Sequence, residues 1–399
     1  MFRKSFILLA LCLMPLIALS AAKQANKPKK VNAIENVLVN HFQTYHQLEY
    51  FSAIQVSIKI GDKLKTYVVG HRSHDKKVPI TANDLFQIGS ITKSFTAALT
   101  LLAEAKGQLA IEKPVKTYLN AYPHWDNLSL ASLLNMTSGL PNYSDSPKMN
   151  IGYVDNIKRF WNRTELIDLV YVKNYSPPLR QGYDYTNTGY ILVDMILTGK
   201  GQSTLAQLLE EQIIKPLGLK NTFYPIPSAN TDVSKRLISG YAYNVYVNPE
   251  LVGQDVRENN LSWAGAAGGI VANSEDVVRW VDALFLQNNL LSKEQKAKMQ
   301  SLVSVKTGKP IKEVNWQEPR GFGLGIIQAY DKRIGRYWFY EGETLGYRAI
   351  YMVVPCNKVI ISALFNSATN GDNDKSGELM MSLYKQVLSD NPKLENCRS

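Results

Sequence analysis

Apolar Ile54, Val56, Ile58 and Ile60 alternate with Gln55, Ser57 and Lys59, the two-residue period of a strand with one face against a core. Gly61-Asp62 supplies a turn, and residues 63–69 return as a second strand. The far end of the chain mirrors this beginning. Segments 336–340, 347–354 and 358–365 read as three strands separated by Gly and Pro-Cys-Asn breaks, and a helix follows from about 376 to 388. Another helix is expected over 36–48. Between the two ends, helical spacing dominates: 95–105, 129–134, 164–172, 188–197, 205–214 and 275–286. This order predicts an α+β fold. An antiparallel sheet of about five strands is built from both chain ends and flanked by helices, with a large, mostly helical lobe inserted. The sheet lobe is expected over 36–89 and 330–399, and the helical lobe over 90–329.

The first 22 residues change the reading of the compartment. Arg3 and Lys4 precede an apolar run, and the small residues Ala18, Ser20, Ala21 and Ala22 close it, the pattern of a cleaved secretory signal peptide. As a membrane anchor, the run from Phe6 to Leu19 is short against a span of about 20 residues and is broken by Pro15. Cys12 raises a lipoprotein reading, but the apolar run continues past it. The expected location is secreted or periplasmic, with peripheral membrane contact or none. In an oxidising compartment Cys356 and Cys397 make a candidate disulfide, the other reading being two unrelated thiols.

The chain has 399 residues, with 45% hydrophobic and 20% charged, which excludes a disordered protein. Its net charge of +11 has one sharp block, the KQANKPKK run over 23–30, read as part of a basic linker over 23–35. No basic stripe is interleaved with aromatics, so no nucleic-acid partner is expected.

All five histidines (His41, His46, His71, His74, His124) lie in the first third, and no G-x-S-x-G, H-E-x-x-H or phosphate loop is present. No metal or organic cofactor is implied. Ser-x-x-Lys is the pattern that remains. A serine hydroxyl needs a neighbouring base, and a lysine whose pKa is lowered by burial can serve from the same helix face. The tetrapeptide occurs at Ser20, Ser73, Ser90 and Ser382, so context decides. Only Ser90-Ile91-Thr92-Lys93 follows an extended apolar run and opens a strong helix. Tyr-x-Asn could relay the proton, and it occurs at Tyr118, Tyr185 and Tyr246. Tyr185-Thr186-Asn187 stands out because it leads through Gly189 into an apolar helix.

These two motifs in this order resemble the serine β-lactamase and penicillin-binding-protein superfamily, closest to its class C β-lactamase and D-Ala-D-Ala carboxypeptidase branch. Matching stretches include FQIGSITKSF (86–95), GQLAIEKPVKTY (107–118), LSLASLLNMTSGLP (128–141), YTNTGY (185–190), PLGLKNTF (216–223) and AGAAGGIVANSEDVVRW (264–280). The resemblance implies a β-lactamase/transpeptidase-like domain over 36–399. It also implies Ser90 as nucleophile, Lys93 as its base, Tyr185 as proton shuttle and Asn187 as an aid to both lysine and substrate. Backbone N–H groups of Ser90 and of the strand near Glu343 would hold the oxyanion.

One departure limits the substrate. The family's third motif, Lys-Thr-Gly or His-x-Gly, is matched by Tyr340-Glu341-Gly342, followed by Glu343. Gly342 fits, but Tyr340 supplies no cation for a substrate carboxylate, so weak turnover of ordinary β-lactams is expected. Arg348 restores the cation if it turns into the cleft; otherwise it is a surface arginine on a strand. The expected protein is a monomeric serine hydrolase of a small-molecule or peptide substrate. A D-Ala-D-Ala carboxypeptidase or related peptidase acting on peptidoglycan stem peptides ranks ahead of an esterase or β-lactamase. The reading from another class is a non-catalytic penicillin- or peptidoglycan-binding protein.

Overall fold

The computed structural model describes residues 32–395 and 397, except 176, 200 and 202. The expected signal peptide, Cys12 and most of the basic linker lie outside the described residues. Helix α1 (Ala33–Tyr45) comes first, so 33–35 are helical and not linker. The main sheet uses β1 (Ala53–Ile60), β2 (Lys63–Gly70), β3 (Leu302–Ser304), β4 (Pro310–Ile311), β5 (Arg320–Phe322), β6 (Ile327–Asp331), β7 (Gly335–Glu343), β8 (Arg348–Val354) and β9 (Val359–Phe365). The other helices that matter here are α2 (Thr92–Ala105), α3 (Thr188–Thr198), α4 (Ser274–Phe285) and α5 (Ser376–Asp390).

Among the described residues the sheet has nine antiparallel strands, not about five, in the order β2-β1-β9-β8-β7-β6-β5-β3-β4. The five expected strands are the contiguous first five. The added four come from 302–331, nearly all of it inside the stretch assigned to the helical lobe, so sheet structure resumes well before 330. These strands are two to five residues long and contain Gly321 and Pro310, too short and irregular to show a two-residue period.

β1 also departs from expectation, since both its faces are buried. Ile54, Val56 and Ile58 join α1 and α5 in one apolar cluster. The polar alternates face α4 on the opposite side. Gln55 Oε1 accepts from Ser274 N at 2.6 Å, Gln55 Nε2 donates to Thr81 O at 2.9 Å, and Ser57 Oγ lies 2.7 Å from Ser274 Oγ. Buried polar groups are tolerated when each finds such a partner, so the alternation here marks two kinds of core contact. β8 and β9 are buried on both faces as well. Helices on both sides thus hold the centre of the sheet, and its strand β7 is brought against the start of α2.

Cys356, in the turn after β8, is bonded to Cys397, with Cα atoms 6.1 Å apart and a sequence separation of 41. Closing a loop of that size lowers the entropy of the unfolded chain. Cys397→Ser should therefore lower the unfolding free energy by about 2–4 kcal/mol in a denaturant titration. An unchanged midpoint would show that packing alone holds this end.

Candidate active site

Ser90 sits in a tight turn (Gly89–Ile91) immediately before α2, and Lys93 lies in the first turn of that helix. The expected shared face is realised: Lys93 Nζ donates to Ser90 Oγ at 2.9 Å. Ser90 is partly exposed, whereas Lys93 is fully buried. A buried ammonium needs all three protons placed. Its other two go to Asn187 Oδ1 at 2.7 Å and to Ala267 O at 2.9 Å. The Tyr185 hydroxyl lies 2.7 Å from Ser90 Oγ. Ser90, Lys93, Tyr185 and Asn187 are thus brought into one hydrogen-bonded group.

α3 aims the second pair. Asn187 is the residue before its first turn, and the helix is anchored by Thr188 Oγ1 donating to Pro141 O (2.7 Å) and Tyr190 Oη donating to Leu134 O (2.7 Å). Asn187 is fixed from the other side as well. Its N–H donates to Asn142 Oδ1 at 2.9 Å and its Nδ2 to Ser144 Oγ at 3.0 Å, which turns Oδ1 toward the lysine. Asn142, Ser144 and the Ala267 carbonyl are site residues that sequence reasoning missed. The first two directly follow the 128–141 stretch but have no pattern of their own, and a backbone oxygen leaves no trace in residue type.

Burial holds the Lys93 amine below the usual lysine range, while Tyr185 pulls the other way. For Tyr185, burial pushes the phenol up, but the Lys93 charge and the hydrogen bonds around it outweigh that, and its pKa falls below that of an ordinary phenol. Tyr185 is 38% exposed as a residue, but its hydroxyl end points into the enclosed group, where charge is weakly screened.

β7 forms the opposite wall. A Cβ on Gly342 would lie 2.0 Å from Ile88 O and 2.9 Å from Ser90 N, so only glycine allows the strand this close. A Cβ on Gly89, at φ +50, would lie 2.5 Å from Glu343 N. Gly342 and the Glu343 backbone therefore border the nucleophile. Tyr340 is 2% exposed; its hydroxyl approaches that of Tyr185 but has no partner at hydrogen-bond geometry. Burial pushes its pKa far up, so it is a neutral wall where the family pattern has a cation.

Arg348 is not the surface residue of one expectation and does not supply the free cation of the other. It is 3% exposed, so it is not a surface residue. Its side chain borders the cavity in front of Ser90, but its charge is taken: Nη1 donates to Glu49 Oε2 and Asp374 Oδ1, both at 2.7 Å, and Nε donates to Ser367 O at 2.8 Å.

The alternative motif copies lie elsewhere. Ser73 Oγ donates to Asp75, Ser382 is exposed on α5, Tyr118 Oη accepts from Ala110 N, and Tyr246 is 80% exposed. Ser20 is outside the described residues. His124 is exposed beside Lys173 O. Among the described residues, no group of three or more His, Cys, Asp or Glu is arranged to hold a metal ion.

A nine-stranded antiparallel sheet, with the Ser-x-x-Lys turn against its central strand β7 and a Tyr-x-Asn loop facing that turn, is the arrangement of the β-lactamase/transpeptidase type. The Beta-lactamase family profile matches residues 46–384, and the chain belongs to that family. It is 25% identical over 320 residues to penicillin-binding protein 4* of Bacillus subtilis (strain 168), which is 77% of this chain and 66% of that protein, slightly under two thirds of its length. A β-lactamase of Pseudomonas fluorescens is 26% identical over 278 residues, 69% of this chain and 70% of the relative. In fold, the chain is similar to D-amino acid amidase from Ochrobactrum anthropi SV3, with a TM-score of 0.75, 22% identity, and 90% and 99% of the two chains covered.

Proposed function

We propose that the protein is a secreted or periplasmic hydrolase that cleaves an amide, peptide or ester bond through an acyl group on Ser90. The observation that carries this reading is the contact of one partly exposed hydroxyl with both a buried ammonium and a phenol of lowered pKa. With all three lysine protons already donated, the Ser90 proton points to Tyr185 Oη. Ionised beside the Lys93 ammonium, Tyr185 takes that proton as a phenolate while Ser90 Oγ bonds the carbonyl carbon, and Lys93 stabilises the charge that passes from the phenolate to the serine oxygen. The N–H groups of Ser90 and Glu343 receive the oxyanion. Tyr185 then protonates the leaving nitrogen or oxygen as its bond to carbon breaks. Water attacks the acyl-serine, releases the acid and restores the hydroxyl.

The D-Ala-D-Ala carboxypeptidase and β-lactamase readings both need a receptor for a carboxylate near the scissile bond. Tyr340 is neutral and Arg348 is paired, so amides and esters without that carboxylate come first. The non-catalytic reading fits poorly with an intact group around Ser90. Intact-mass analysis should show one fluorophosphonate adduct, mapped to the peptide holding Ser90, together with p-nitrophenyl acetate hydrolysis that far exceeds nitrocefin hydrolysis. Absence of both adduct and turnover would favour a binding module, and nitrocefin turnover at a β-lactamase's rate would reinstate the carboxylate-bearing substrates.

A further inference from the structure

Tyr185 can serve Ser90 only if its loop holds the phenol in place, and that loop leans on the stretch 133–141. At the edges of this contact the acceptors are ordinary oxygens. Arg180 N donates to Gly139 O at 3.2 Å, Thr188 Oγ1 to Pro141 O and Tyr190 Oη to Leu134 O. The two peptide N–H groups that flank Tyr185 both go to one residue. Asp184 N donates to Met136 O at 2.9 Å, and Thr186 N donates to Met136 Sδ at 3.4 Å. Thr186 is 0% exposed, so water is no substitute for the sulfur.

The backbone at Met136 makes a methionine there unusual. It directly follows Asn135, the C-cap of the short helix Leu130–Leu134, and Thr137 N donates to Ser132 O at 3.1 Å to close the helix end. Its φ is +65, in the left-handed region that glycine enters freely and a side chain enters at a cost. Glycine would suit this backbone and would still offer its carbonyl to Asp184. The buried methionine side chain adds two things that glycine lacks, volume in the apolar core and a sulfur acceptor. Leucine separates the two: it fills a similar space and leaves the Thr186 N–H buried without an acceptor.

We propose that Met136 is a positioning residue for Tyr185: its carbonyl oxygen and its thioether sulfur clamp the peptide groups on either side of the phenol, and the sulfur contact keeps the Tyr185 hydroxyl in reach of Ser90. This rests on the hydrolase reading above. Met136 is fully buried and does not line the cavity in front of Ser90, so it acts through Tyr185 and not on a substrate. A thioether accepts weakly, and its bond matters for where it holds the loop. A small shift of Thr186 carries Tyr185 with it and lengthens the 2.7 Å contact between the two reacting oxygens.

The rate of fluorophosphonate labelling at Ser90 tests this, because fluoride leaves without a proton and the rate reads activation of the serine alone. Met136→Leu should label about 10- to 100-fold more slowly than the native enzyme, yet to full extent and with nearly the native urea midpoint. In a Tyr185→Phe background, already slow, the same substitution should change the rate by less than about twofold, because the group it positions is gone. Met136→Gln restores an acceptor but places an amide in an apolar site, so it should be less stable than the leucine variant and label faster. Rates that follow stability, with leucine faster than glutamine, would make Met136 a packing residue and overturn the inference. So would a leucine variant that labels at the native rate, or an equal loss in Tyr185→Phe. If the native enzyme takes up no label and turns over no ester, the hydrolase reading fails and this inference with it.

Discussion

Ser90→Ala, Lys93→Met and the double variant should hydrolyse p-nitrophenyl acetate at one common residual rate, at least about 10³-fold below the native enzyme. The reason is that the hydroxyl and the ammonium serve one proton transfer, from Ser90 to Tyr185. Removing the nucleophile leaves Lys93 nothing to assist. Removing the ammonium takes away the charge that lowers the Tyr185 pKa, so at neutral pH Tyr185 keeps its own proton and cannot accept that of the serine. Residues that work as one unit give non-additive losses, and the double variant adds nothing to either single one. Stability should respond differently. Lys93→Met leaves Asn187 Oδ1 and Ala267 O without their donor, which costs about 1–3 kcal/mol for each buried acceptor. It also removes a fully buried charge, and the two effects oppose each other. The expected variant is folded by circular dichroism and nearly inactive. Losses that multiply in the double variant would show that Lys93 acts elsewhere than on Ser90.

The pair at 90 and 93 was legible because its chemistry is local: three residues along one helix turn put both side chains on a common face. The Tyr185–Asn187 loop was legible for a similar reason, since an apolar helix follows it directly. The five strands at the chain ends carry a clear period or a continuous apolar run. By contrast, β3 to β6 lack enough residues to repeat anything. The fate of Arg348 was hidden for another reason. Its partners Glu49 and Asp374 stand 299 and 26 residues away, and nothing in the strand pattern around 348 points to them. The sequence reading put that side chain either in solvent or in the cleft, because strand alternation offers two faces and not a buried ion cluster between elements. Gly342 shows the opposite case. A glycine was expected at that spacing, and it admits the backbone of the nucleophile's own turn.

Arg348→Ala should lower the unfolding free energy by about 3–5 kcal/mol at pH 8, and by clearly less at pH 5. The Arg348 side chain is 4% exposed and that of Glu49 is 0% exposed, so the lost cation cannot be replaced by bulk water. Glu49 Oε1 already lacks a hydrogen-bond partner, and removing the guanidinium strands the other oxygen as well. Burial holds the Glu49 carboxyl above its ordinary pKa, while Arg348 and its hydrogen bond pull it back down. In the variant burial and the Asp374 charge push it up against only the weaker pull of the Lys375 backbone, so the native state binds a proton that the unfolded chain has already released. Between the unfolded and folded pKa, stability therefore falls as pH rises, and acid restores it by neutralising the stranded group. Urea titrations at the two pH values measure the difference. Replacing the pair together, as Arg348→Met with Glu49→Leu, should recover most of the loss, because apolar side chains of similar volume need no counter-charge. An equal loss at pH 5 and pH 8 would mean that Arg348 stabilises the strand by packing and by its bond to Ser367 O, with Glu49 a bystander. The double variant would then stay as unstable as the single one.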